Sequence, residues 1–256
     1  MAFVNAGESR LYYESHGDGP ALIFAHGVGG NHASWHKQVP LFSRDHRVIV
    51  VDQRAFGNSS DVEEAGRSRF VDDMLLFLDS LAIEKATLVG QSMGGGTCAA
   101  FTCAHPERVE KLVIADSLVG IDAPEPLAGR LKAVEEATWG LSQAERVLGA
   151  VMRHDDPEST MLYLQIASFN SVNVRTLKGE MPRWTPARLS ETGVPTLFLV
   201  GEHDVLFPPD AVFAAHELVG ATSSFALIEG AGHSAYFERP HAFNAHLGAF
   251  LTNGEG

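Results

Sequence analysis

The alternation of short apolar runs with helix-length segments narrows the possible folds more than any other feature. Five runs, Ala21–Ala25, Val48–Val51, Ala86–Val89, Val109–Ala115 and Pro195–Val200, recur along the chain. Each is too short for a helix and rich in Val, Ile, Leu or Phe, as expected of strands buried on both faces of a parallel sheet. Between them, Arg67–Leu81 places Phe70, Met74, Leu75, Leu78 and Leu81 on one stripe, and Ser92–Ala104 and Ala235–Leu251 also read as helices. The pattern predicts an α/β class, with a mostly parallel central sheet flanked by helices and right-handed crossovers. Near the start, Arg10–Glu14 alternates as a strand would, after an Asn5-Ala6-Gly7 turn.

The alternation stops between Leu118 and Thr192. That stretch offers helical patterns at Leu127–Thr138, Gln143–Met152 and Met161–Phe169, interrupted by Pro124, Pro126, Pro157, Pro182 and Pro186. It is too long for an ordinary connection, since loops above about 15 residues are uncommon. Residues 118–192 therefore read as a helical lid inserted into a core domain made of residues 1–117 and 193–256.

Charge excludes several partners. With 32 acidic and 19 basic residues the formal net charge is −13, which argues against nucleic acid and against an anionic membrane surface. No apolar run approaches the ~18 residues of a membrane span. The start lacks a basic stretch followed by an apolar one, so the expectation is a cytoplasmic protein, monomeric or homodimeric. Cys98 and Cys103 lie on different faces of the helix expected there, so they read as buried apolar residues rather than a disulfide.

The strongest chemical signal is Gly90-Gln91-Ser92-Met93-Gly94, which follows the strand Ala86–Val89 and opens a helix. This is the strand–turn–helix context of a G-x-S-x-G nucleophile turn. The turn is so sharp that side chains at its flanking positions would collide with backbone. It would hold Ser92 above the sheet at a helix N-terminus, where free amides favour negative charge. A serine alcohol needs a base, and the base needs an orienting acid. Of twelve histidines, His233 in Gly230-Ala-Gly-His233-Ser, after the strand-like Ser224–Glu229, is the best placed. His241 and His246 fall in the final helix and read as surface or packing residues. Asp204, just past the strand Pro195–Val200, is the candidate acid, and Asp116, past Val109–Ala115, competes with it. Asp116 borders the inserted segment, where a hinge or a helix cap would also account for it.

His26-Gly27-Val28-Gly29-Gly30 follows another strand and can aim a backbone amide into the site. Acyl transfer needs two such donors for the developing oxyanion, and the amides of Val28 and Met93 are the candidates. His26 reads as an organiser of its loop. Other signals are weak. His32 and His36 share a helix face, but no third metal ligand is placed near them. Gly27-x-Gly29 with Asp52 mimics a dinucleotide site, but His32 stands where its third glycine belongs. No metal and no cofactor is expected. Trp139 and Trp184 are candidates to line an acyl pocket, although such residues more often pack a core.

Taken together, His26-Gly27, Asp52-Gln53-Arg54-Ala55-Phe56-Gly57-Asn58-Ser59, Gly90–Gly94, Gly201–Asp204 and Gly232-His233 make the sequence resemble the α/β-hydrolase fold enzymes. These residues run from 26 to 233 and so cover nearly the whole chain outside the inserted segment. The resemblance implies Ser92 as nucleophile, His233 as general base and then acid, Asp204 as its orienter, and Val28 and Met93 as the oxyanion hole. One departure is Ala55, where relatives commonly carry glycine. The implied activity is hydrolysis of a small or medium carboxylic ester through an acyl-enzyme, with a small-molecule acyl substrate. A lactonase or a hydrolase of carbon–carbon bonds in β-diketone-like ring-cleavage products would use the same residues. A receptor-like binding protein that retains the triad is the alternative of another class.

Overall fold

In a computed structural model, residues 2–252 are described. Eight strands, β1 (Ala2–Ala6), β2 (Ser9–His16), β3 (Ala21–Ala25), β4 (Arg47–Val51), β5 (Ala86–Gln91), β6 (Val109–Ala115), β7 (Thr196–Gly201) and β8 (Ser223–Ile228), form one sheet in the order β1-β2-β4-β3-β5-β6-β7-β8. β1, β2 and β4 pair antiparallel in succession. From β4 to β8 every neighbouring pair is parallel. β1 had no strand signal of its own, being short and half exposed. It is stabilised by folding back on β2 through Gly7, at φ 67, with Val4 and Ala6 turned inward.

Period-2 alternation divides the apolar side chains between two layers. Ile23, Ile49, Leu88, Ile114 and Phe198 face one layer, while Leu22, Phe24, Val50, Val113 and Leu199 face the other. Both sets are fully buried, worth roughly 1.5–3 kcal/mol for each large side chain. The helices are α1 (Val39–Phe42), α2 (Phe70–Ser80), α3 (Met93–Ala104), α4 (Leu127–Thr138), α5 (Gln143–Val147), α6 (Ala150–Asp155), α7 (Pro157–Ser168), α8 (Pro186–Glu191), α9 (Pro209–Val219), α10 (Ala235–Glu238) and α11 (Pro240–Thr252). Residues of α2, α3 and α9 close the first layer, and Trp35, Tyr236 and Phe243 the second. Cys98 and Cys103 are both buried and unbridged. Among the described residues, no helix is long and apolar enough to cross a membrane.

Three helices depart from their sequence outlines. The final one breaks at Arg239, because Pro240 removes an amide and pushes the preceding residue out of the helical region, to φ −131 and ψ 58. The pattern over 143–152 breaks at Leu148-Gly149, both extended. There the Gly149 amide donates to the Glu238 carboxylate at 3.0 Å, a tertiary bond invisible to periodicity. At the third, α2 begins three residues late, behind a 3₁₀ turn over Gly66–Arg69. Five helices, α4 to α8, lie between β6 and β7, within the stretch where the alternation stops.

Candidate active site

Ser92, Asp204 and His233 follow β5, β7 and β8, at the carboxyl ends of parallel strands, where ligands bind in open α/β sheets. Ser92 takes φ 51 and ψ −117, a strained conformation at the N-terminal end of α3. The surrounding glycines make that turn possible. A Cβ on Gly90 would sit 2.3 Å from the Gly94 carbonyl oxygen, and one on Gly94 2.1 Å from that of Ala25. A Cβ on Gly27 would lie 2.9 Å from the Ser92 Cβ, so the Gly27–Gly30 loop passes directly against the serine.

The three side chains meet. His233 Nε2 lies 2.9 Å from Ser92 Oγ, and His233 Nδ1 lies 2.9 Å from Asp204 Oδ2. Asp204 and His233 are each only 3% exposed. Asp204 Oδ1 accepts from the amides of Leu206 at 2.8 Å and Phe207 at 3.0 Å, which leaves Oδ2 for the imidazole. With the Nδ1 proton donated to Asp204, Nε2 is free to accept the serine proton. Val28, Met93, Ser92 and His233 line one cavity of about 1020 Å³, so the two candidate amide donors belong to residues at the wall that holds the serine.

Asp116 is not the N-cap residue of the helix that follows it in the chain, whose N-cap is Pro126. Its carboxylate is fully buried, with Oδ1 accepting from the Gly201 amide at 2.8 Å and Oδ2 from the Ala235 amide at 3.1 Å. It therefore braces the end of β7, which leads to Asp204, against the loop that carries His233. Burial, and then the nearby Asp204 charge, push its pKa well above the usual carboxylate range. Glu238 acts on the same loop. Oε2 accepts from the amides of Gly232 and Gly149, each at 3.0 Å, and Oε1 from that of Ser234 at 3.2 Å. Burial raises its pKa as well. Gln91 completes the support, its side-chain amide donating to the His233 carbonyl at 2.7 Å.

Sequence reasoning missed Glu238 and Gln91. The signal for Glu238 was an acid in the otherwise apolar run Ala235-Tyr236-Phe237. Gln91 occupies a position that the nucleophile motif leaves free.

His26 organises its loop. Its Nδ1 donates to the Gly27 carbonyl at 2.7 Å and its Nε2 accepts from the Gln53 amide at 3.0 Å. Burial lowers its pKa, which suits a neutral ring with that tautomer. His32 Nδ1 lies 2.8 Å from Oδ1 of the buried Asp52. Among the described residues, no group of three or more His, Cys, Asp or Glu is arranged to hold a metal ion.

The two tryptophans do not line the cavity, which corrects the expectation for both. Trp184 is 2% exposed, packed in the first apolar layer with its indole N–H donating to the Val119 carbonyl at 2.9 Å. Trp139 is 51% exposed and stacks with the Arg175 guanidinium, 5.5 Å from its ring centre. A buried indole N–H usually finds a hydrogen-bond partner, and for Trp184 the Val119 carbonyl supplies it.

Comparison with known proteins agrees with this architecture. The model of the alpha/beta hydrolase fold family matches residues 20–240. A 2-hydroxy-6-oxononadienedioate/2-hydroxy-6-oxononatrienedioate hydrolase of Cupriavidus pinatubonensis is 29% identical over 268 residues, covering 96% of this chain and 92% of that protein. A carboxylesterase of Bacillus subtilis is 25% identical over 256 residues, covering 97% and 86%. The structure of a thermophilic esterase from Thermogutta terrifontis superposes with a TM-score of 0.81 at 26% identity, covering 98% and 97%.

Proposed function

Since this chain belongs to the alpha/beta hydrolase fold family and is a hydrolase, we propose that it cleaves a small or medium carboxylic ester through an acyl-enzyme on Ser92. The observation that carries the reading is the continuous hydrogen-bonded line from Ser92 Oγ through His233 to Asp204, 2.9 Å at each step. His233 takes the serine proton as Oγ attacks the carbonyl carbon. The charge that develops on the carbonyl oxygen is held by the Val28 and Met93 amides, the latter at the N-terminus of α3 where the helix dipole adds to it. Collapse of the tetrahedral intermediate expels the alcohol with the proton from His233. Water then enters, gives its proton to His233 and releases the acid, restoring Ser92. Asp204 fixes the imidazole tautomer and stabilises the imidazolium. No step draws on a metal or cofactor.

The carbon–carbon bond reading has the similarity to the Cupriavidus hydrolase in its favour, and a lactone would engage the same residues. Residues 118–192 act in this reading as a lid over the core formed by residues 1–117 and 193–256, because their side chains supply much of the cavity wall. A cytoplasmic monomer or homodimer completes the proposal, tested by fractionation and by light scattering.

The decisive experiment is a rate profile over p-nitrophenyl esters of graded acyl length, with a lactone and a vinylogous diketone, for the wild type and Ser92→Ala. The substitution should cut turnover by roughly 10⁴–10⁶ and leave the fold intact. Most of the activity surviving in a clean Ser92→Ala preparation would end the serine-nucleophile reading. Slow, near-stoichiometric turnover by the wild type would favour the receptor-like alternative.

A further inference from the structure

The chain is strongly acidic, at −13, yet the cavity that holds Ser92 is not. Its wall carries Arg67, Lys132, Arg146, Arg175 and Arg183 against two acids, Asp122 and Glu135. Arg183 is already paired, its Nη2 3.0 Å from Asp122 Oδ1. Arg67, Arg146 and Arg175 are not. Among the described residues, no carboxylate lies within ion-pair distance of any of the three. Arg67 donates from Nη2 to the Leu177 carbonyl at 2.9 Å, which fixes its position beside the 174–177 loop, while its buried Nε has no partner. Arg175 is held from the same loop by its contact with Trp139.

The guanidiniums of Arg146 and Arg175 are close enough to matter to one another, and Arg67 lines the same cavity. Burial lowers the pKa of Arg67, and burial followed by the charge of Arg175 lowers that of Arg146, with Glu135 pulling the other way. Arg67 and Arg146 are half-buried and Arg175 is exposed, and like charges held near one another without counter-ions are unfavourable until an anion arrives. Guanidiniums suit a carboxylate in particular, because their planar fork matches its two oxygens.

From this arrangement we infer that the substrate carries a carboxylate at the end of its acyl portion remote from the ester, bound by Arg146 and Arg175 with Arg67 beside them. The inference rests on the hydrolase reading above, and it adds the chemical class of the substrate. A cavity of about 1020 Å³ leaves room for such a group beyond the reacting carbonyl, since pockets for drug-sized molecules span about 300–1,000 Å³.

The test uses monomethyl esters of linear dicarboxylic acids from succinate to suberate against the uncharged dimethyl esters of the same acids. Calorimetric titration into the Ser92→Ala protein reads binding alone, and methanol release by the wild type reads turnover. For at least one chain length the monoester should bind tenfold or more tighter than its dimethyl ester. Its kcat/KM should exceed that of the dimethyl ester by a similar factor, and the excess should shrink as salt is added.

Arg146→Gln and Arg175→Gln, each combined with Ser92→Ala, should bring the affinity ratio to about one while the melting temperature stays near that of Ser92→Ala. Arg146→Lys should keep part of the preference. Equal affinities for mono- and diesters at every length overturn the inference, and if both classes are hydrolysed the hydrolase reading stands. Selective binding of the monoester with no turnover of either class supports the anion site and overturns the ester-cleavage reading instead.

Discussion

Replacing Asp204 by Asn separates the acid of the relay from the neighbouring carboxylate that also follows a sheet strand. In the wild type, Asp204 Oδ1 accepts two backbone amides and Oδ2 accepts the His233 Nδ1 proton. An asparagine must keep its oxygen on the two amides, because turning it would set NH₂ against two N–H donors. Its NH₂ then faces His233 Nδ1 and forces the ring into the tautomer with the proton on Nε2. That nitrogen can no longer accept from Ser92. In a Ser-His-Asp triad this change costs about 10⁴ in kcat, or about 5.5 kcal/mol of barrier. Asp204→Asn should therefore lose roughly 10³–10⁴ in kcat on one short-chain p-nitrophenyl ester at neutral pH, with little change in melting temperature.

Asp116→Asn should do the opposite. Its two oxygens each serve one amide, so one amide must lose its acceptor, a cost of about 1–3 kcal/mol. Removing a buried acid whose ionisation is opposed by burial and by Asp204 offsets part of that. At about 2–4 °C per kcal/mol for a chain of this size, a fall of several degrees in melting temperature is expected, with at most about tenfold lost in kcat. If the large kinetic loss appears in Asp116→Asn and Asp204→Asn stays active, the acid assignment is wrong.

Three further outcomes are expected. Ala55→Gly should raise the melting temperature by about 2–4 °C, because Ala55 sits at φ 72, where a Cβ costs roughly 1 kcal/mol; a fall would show that the methyl group packs more than it strains. Trp184→Ala should cost roughly 3–5 kcal/mol of stability by emptying a core site and leave the acyl-length profile unshifted, whereas a selective loss on long acyl chains would return Trp184 to the substrate wall. For His32, burial lowers the pKa but the Asp52 hydrogen bond and the charges of Asp52 and Glu14 more than reverse it, so the folded value lies above 6.5. That extra stability is full below the unfolded pKa and is lost as pH rises through the folded one. The difference in urea midpoint between wild type and His32→Gln should thus be largest below pH 6.5 and fade on the alkaline side, and a pH-independent difference would refute it.

The sequence by itself determined what depends on near neighbours in the chain. Strands β3 to β7 were legible because burial on both faces demands unbroken apolar runs. The serine turn was legible because only glycine tolerates backbone within about 2 Å of its missing Cβ, at Gly90 and Gly94. Ser92, Asp204 and His233 could be named because each stands just beyond a strand, and the ends of parallel strands converge. The tertiary structure decided what depends on partners far along the chain. Only packing could show that Gly149 breaks a helix by bonding to Glu238, 89 residues away, or that Asp116 spans the loops of Asp204 and His233. It also decided Trp184, since an indole in a helical insertion reads the same whether it faces a cavity or a core. The three arginines of the cavity come from three separate segments, near residues 67, 146 and 175. Local pattern records the charge of each, but only the folded chain brings all three to one cavity with, among the described residues, no carboxylate at ion-pair distance from any of them.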